Sequence, residues 1–169
     1  MFKYIAICFL FLFVFVSENK AQAFDFEEEI ILIWDISNTP EAKKELISFA
    51  KKYLGAPYKY GGATPNGFDC SGFVFFVFSE FGKTLPRSSR DIARVGEKIN
   101  RQDLQVGDLV FFEGRTRNGV VGHVGIVSNI DNNNISFIHA STNRNVIVSS
   151  MKEEYYAVRF LLARRIYIE

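Results

Sequence analysis

Apolar residues change their period partway along this chain. In the first half they recur at helical spacing. Ala42, Leu46, Ala50, Tyr53 and Leu54 line one face of a helix that is N-capped by Thr39, carries Pro40 and Glu41 in its first turn and ends at Gly55. Phe73, Val74, Val77, Phe78 and Phe81 mark a second helix from Cys70 to Phe81, with Asp69 as its N-cap and Gly82 at C′. A turn-prone stretch, Tyr60 to Gly67, leads into it. Leu85-Pro86-Arg87 reads as extended, because the residue before a proline avoids the helical region. Ser88 or Ser89 then caps a short helix to about Val95, with Asp91 in its first turn.

After the Val106-Gly107 turn the pattern becomes that of strands. Asp108 to Glu113 is the first. Val121 to Ile130 and Ile135 to Ser141 form a hairpin around Asp131-Asn132-Asn133-Asn134, and Val146 to Met151 and Val158 to Ile168 follow. Helices first and antiparallel strands afterwards predict an α+β domain rather than βαβ units. With 169 residues there is room for one domain with a real core.

The N-terminus stands apart. Tyr4 to Val16 is an apolar run between Met1-Phe2-Lys3 and Ala21-Gln22-Ala23, too short for the ~20 residues of a spanning helix. This is the anatomy of a secretory signal peptide cleaved after Ala23, and it predicts export to the periplasm, cell envelope or exterior with no stable membrane anchor. The expected division is 1–23 signal peptide, 24–38 N-terminal arm and 39–169 main domain. For the arm, an acidic patch followed by an apolar run, the pattern leaves edge strand, packing arm and short helix open. Cleavage removes Lys3, Lys20 and Glu18, so the formal charge of +1 becomes zero. No basic footprint for nucleic acid remains. It also removes Cys8, leaving Cys70 as the single cysteine. An unpaired thiol in an exported protein marks itself as reactive or functional.

That thiol sits at the first helical position, where unpaired N–H groups and the helix dipole favour a thiolate. The competing reading is a small buried hydrophobe. A thiol nucleophile needs an imidazole to take its proton, and a third polar group to orient that imidazole. His123 and His139, the two histidines of the chain, both fall on the hairpin. They lie 16 residues apart, an even number. They share a face if the connecting loop is odd in length or a bulge supplies the offset; a plain two- or four-residue loop would turn them apart. One cysteine and two histidines also suit catalytic zinc, but HExxH and Cys-x-x-Cys spacings are absent. No metal or organic cofactor is expected.

Several strings in this order, Gly55-Ala56-Pro57-Tyr58-Lys59-Tyr60-Gly61-Gly62, Asp69-Cys70-Ser71-Gly72-Phe73, Leu85-Pro86-Arg87-Ser88, Val106-Gly107-Asp108-Leu109-Val110-Phe111-Phe112, Gly122-His123-Val124-Gly125-Ile126 and Phe137-Ile138-His139-Ala140-Ser141, resemble the NlpC family of bacterial cell-wall cysteine peptidases. The likeness runs from about Lys43 to Arg165. It implies a papain-like fold, N-terminal helices packed on a central antiparallel sheet, and hydrolysis of peptidoglycan stem peptides or muropeptides. It makes Cys70 the nucleophile, His123 the general base and then acid, and His139 the group that orients His123. Tyr58 becomes the oxyanion hydroxyl, with the Cys70 N–H as second donor. Asp69, Ser71 and Ser89 match positions lining the substrate cleft. Tyr60 departs from the family's more frequent tryptophan, a swap expected to alter cleft packing.

The resemblance implies cleavage beside a D-amino acid, at γ-D-glutamyl–diaminopimelate or a cross-link, through an acyl-enzyme. Some relatives carry SH3-like wall-binding domains ahead of the catalytic one. Residues 24–38 are too few for such a domain, so a single-domain monomer is expected. Two alternatives keep the sequence features: an amidase of the lactyl–L-alanine bond or an acyltransferase on the same fold, and a non-catalytic wall-binding protein.

Overall fold

The structure is a computed structural model, and it describes residues 39–132 and 134–168. The expected signal peptide and N-terminal arm lie outside the described residues.

Helix α1, Pro40–Lys51, begins where expected, with the Thr39 hydroxyl accepting the Ala42 N–H. Leu46, Ile47 and Ala50 form its buried edge, whereas Leu54, expected on that face, is half exposed beyond the helix end. A small ribbon follows, β1 (Ala63–Thr64) with β2 (Gly67–Phe68). Helix α2, Cys70–Ser79, is the central element. It closes in a Schellman arrangement: Lys83 N–H bonds the Phe78 carbonyl and Gly82 N–H the Ser79 carbonyl, with Gly82 at φ 72°. Phe73, Val74, Val77 and Phe78 are fully buried. Phe68 and Phe76 join Phe49 and Tyr53 of the α1 region in a ring cluster that locks α2 against α1. Ser88 caps α3, Ser89–Ile92.

Six strands form one antiparallel sheet in the order β3-β8-β4-β5-β6-β7: β3 Glu97–Ile99, β4 Leu109–Glu113, β5 Val121–Asp131, β6 Asn134–Ser141, β7 Asn145–Ser150 and β8 Phe160–Arg165. Strand β3, the ribbon β1–β2 and a one-turn helix α4, Glu154–Ala157, are additions to the sequence reading. Each is too short to carry a periodicity. Leu109, Phe111, Val124, Ile126, Ile138 and Ala140 face the helices. Val110, Phe112, Val127, Phe137 and Ala163 build a second core on the opposite face, closed by Met151 and Tyr156. Asp108 enters β4 at 1% exposure and is clamped by Arg165, whose Nε and Nη2 each lie 2.8 Å from one carboxylate oxygen. This ion pair ties β8 to the turn before β4. Among the described residues no helix is long and apolar enough to cross a membrane.

Candidate active site

Asp69 sets the N-terminus of α2. Its Oδ1 accepts the Gly72 N–H at 2.6 Å, the Ser71 hydroxyl at 3.2 Å and Arg87 Nη1 at 2.9 Å. Its Oδ2 accepts the Gly61 N–H at 2.9 Å and Arg87 Nη2 at 2.7 Å. Burial alone would raise this carboxyl; Arg87, with the Gly72 N–H and Ser71, outweighs it and holds the group below its ordinary value. Gly72 has no room for a side chain, since a Cβ would stand 2.0 Å from the Gly62 carbonyl oxygen. Asp69 and Ser71, expected along the substrate cleft, thus spend their polar atoms on one another, on Arg87 and on the loop before α2. Arg87, quoted above only as part of a motif, is the residue that joins loop, helix start and α3.

Cys70 follows as the first residue of α2, a free thiol that keeps part of its surface exposed. The β5–β6 ladder ends at Ile126↔Ile138, and beyond it the Val124 N–H bonds the Cys70 sulfur. The sulfur therefore meets β5 one residue past His123. The N–H groups of Val124, Ser71 and Cys70 do lower its pKa, as a helix start should. Burial and then the Asp69 carboxylate win, however, and the thiol is pushed up. Against the thiolate expected from the helix terminus, desolvation here weighs more than the three backbone hydrogen bonds.

His123 and His139 do share a face, and a single residue decides it. Asp131 pairs with Asn134, so the turn has two residues, which by itself would separate the rings. Between Val127 and Asn129 the register shifts, leaving Ser128 as a bulge and moving the rest of β5 by one position. Gly125 then falls opposite His139; a Cβ there would meet the Phe137 ring at 2.5 Å and the His139 Cβ at 3.1 Å. His123 Nε2 lies 2.9 Å from His139 Nδ1, with the rings edge to face. His139 is fully buried, and His123 is partly so.

Burial pushes His123 down to about 4. It takes His139 to about 2, helped by the neighbouring His123 and opposed by the Ala140 backbone. Both rings are neutral at pH 7. Between 6.5 and about 4 the unfolded chain binds protons that the folded rings refuse, so stability is complete above pH 6.5 and falls as the pH falls through that window. For His123 alone this costs up to about 3 kcal/mol. Urea unfolding from pH 7.5 to 4.5 should show that decline, flattened in a His139→Gln variant; a slope unchanged by the substitution counts against the neutral buried ring.

Tyr58 is bridged in parallel to Phe68, two residues before the cysteine, and packs with Cys70 against the helix-side core. Burial, then charge on Cys70, raises its hydroxyl. It stays a protonated donor, as an oxyanion contact requires. Ser89 opens α3, its hydroxyl without a hydrogen bond among the described residues. Tyr60 is 91% exposed, so little of its ring is available to the cleft packing expected to change where it replaces tryptophan.

The profile of the NlpC/P60 family matches residues 55–165. The chain is 44% identical over 124 residues to a "Probable endopeptidase NlpC homolog" of Haemophilus influenzae, covering 73% of this chain and 62% of that protein. It is 43% identical over 128 residues to the "Murein DD-endopeptidase MepS/Murein LD-carboxypeptidase" of Escherichia coli K12, covering 75% and 64%. The chain thus spans somewhat under two thirds of the length of these two relatives. The crystal structure of an NlpC/P60 family protein from Bacillus cereus superposes with a TM-score of 0.68 at 34% identity, over 79% of this chain and 42% of that one. With the α+β architecture and the ordered motifs around Cys70, His123 and His139, these matches establish that the chain belongs to the NlpC/P60 family.

Proposed function

We propose that the protein is an exported cysteine endopeptidase of murein, cutting a stem-peptide amide next to a D-amino acid. The observation that carries this is a partly exposed thiol at a helix start, bonded to the backbone beside a neutral imidazole that is itself held at 2.9 Å by a second, buried one. The likeness to a relative named a murein DD-endopeptidase favours the D,D cross-link over the γ-D-glutamyl–diaminopimelate bond.

The resting pair is thiol and imidazole, both uncharged. As Sγ attacks the amide carbonyl carbon, its proton passes to Nδ1 of His123, and the positive charge is stabilised through Nε2–H on His139. Tyr58 and the Cys70 N–H receive the oxyanion. Collapse breaks the C–N bond, and His123 returns the proton to the leaving amine. A water molecule, deprotonated by His123, then cleaves the thioester, releasing a carboxylate and restoring the thiol.

Purified sacculi treated with the protein, solubilised with a muramidase and weighed by mass spectrometry provide the test. Loss of cross-linked dimers with a matching gain of monomers is the expected result. Products with intact cross-links but shortened stems move the assignment to the γ-D-glutamyl bond, and unchanged muropeptides refute it.

A further inference from the structure

The hydrogen-bonded line that begins at His123 continues past His139. Nε2 of His139 lies 3.2 Å from the hydroxyl of Tyr156, and the Ser149 side chain is the next hydrogen-bonding group against that hydroxyl. His139 is 0%, Ser149 4% and Tyr156 8% exposed, so water offers these groups little substitute for one another. The Tyr156 ring is fixed between Phe112 and Phe137, with centroids 5.2 and 4.8 Å away. The sequence reading offered no role for either residue. Tyr156 stands on a helix of four residues, 17 positions beyond His139, and Ser149 stands on β7.

Such a line has two polarities. In the first, His123 Nε2–H donates to His139 Nδ1, His139 Nε2–H donates to Tyr156, and Tyr156 donates to Ser149. His123 Nδ1 is then an unprotonated base. In the second, every proton points the other way: Tyr156 donates to His139 Nε2, His139 Nδ1–H donates to His123, and His123 holds its own proton on Nδ1. A neutral imidazole has one donor and one acceptor nitrogen, so the choice at one end is transmitted to the other. Only the first polarity leaves a lone pair on Nδ1, the His123 nitrogen that has no hydrogen-bond partner among the described residues. Ser149 makes it available, because it gives the phenol proton somewhere to go and frees the phenol oxygen to accept.

We propose that Tyr156 is a positioning residue: backed by Ser149, its hydroxyl accepts the His139 Nε2 proton and so keeps the His123 lone pair on the nitrogen that serves the thiol. The proposal rests on the peptidase reading, but the tautomer it assigns is independent of substrate.

Tyr156→Phe keeps the ring and its packing while leaving a buried His139 N–H without an acceptor. The populated state then shifts to the second polarity, and kcat for muropeptide cleavage falls about ten- to a hundredfold with KM unchanged. Ser149→Ala shifts it in the same direction. Long-range proton–nitrogen spectra of the ¹⁵N-histidine-labelled full chain read the tautomers directly. The expected result is His139 protonated on Nε2 in wild type and on Nδ1 in Tyr156→Phe. A wild-type His139 protonated on Nδ1, or a Phe variant with its tautomer unchanged, overturns the proposal. Should wild type cleave no murein, the peptidase reading fails while the spectra still decide the role of Tyr156.

Discussion

Cys70→Ala is expected to leave the fold intact and reduce murein hydrolysis to background, a loss on the order of 10⁴- to 10⁶-fold. The substitution removes one sulfur from a partly exposed position, together with the hydrogen bond that sulfur accepts from the Val124 N–H. The cap on α2 is carried by Asp69, and its grip on Gly72, Ser71 and Arg87 does not involve the cysteine. The thermal midpoint should therefore stay within a few degrees. Cys70→Ser should be nearly as inactive. A hydroxyl is far less acidic than a thiol, and an imidazole held down at about 4 is a weak base for it. The measurement is product formation by mass spectrometry beside a melting curve for each variant. Comparable hydrolysis by a folded alanine variant would sink the assignment of the nucleophile.

Gly125→Val is expected to remove most activity, whereas Ser128 can be deleted without turning the rings apart. A Cβ on residue 125 would stand 2.5 Å from the Phe137 ring and 3.1 Å from the His139 Cβ, so a side chain there displaces the buried imidazole that orients His123. Loss of the oriented base costs about 10²- to 10⁴-fold in turnover. Deleting Ser128 takes out only the extra residue of the bulge. Val127↔Phe137 and Asn129↔Ser136 become consecutive pairs, the β4–β5 register is untouched, and the now odd spacing of His123 and His139 suits a two-residue turn. Muropeptide turnover beside a melting curve for each variant is the measurement. Full activity in a folded Gly125→Val protein would remove the close fit opposite His139 from the account, and an inactive but folded deletion variant would overturn the parity argument.

The elements that carry periodicity were legible. The α1 cap, the α2 start at Cys70, the glycine stop at Gly82 and five strands fall within a few residues of their expected bounds. The short pieces escaped, as did Tyr156 on one of them. The triad's geometric condition could be stated from the even spacing of the histidines, yet not resolved, because a bulge has no residue signature at Ser128. The resemblance puts Asp69 and Ser71 along the substrate cleft; that Arg87, eighteen residues on from Asp69, bonds both is visible only in the fold.

What the chain's own order determines is which faces are apolar, where helices start and stop, and that one thiol and two imidazoles exist in a family-like arrangement. These are local properties, fixed by side-chain spacing and capping. Only the tertiary structure decides that burial weighs against a thiolate at the helix start, that the rings point the same way, and that a phenol stands behind them. Desolvation sums over every residue packed around a group, and strand parity depends on a register set by two neighbouring strands at once. Neither quantity belongs to any single stretch of the sequence.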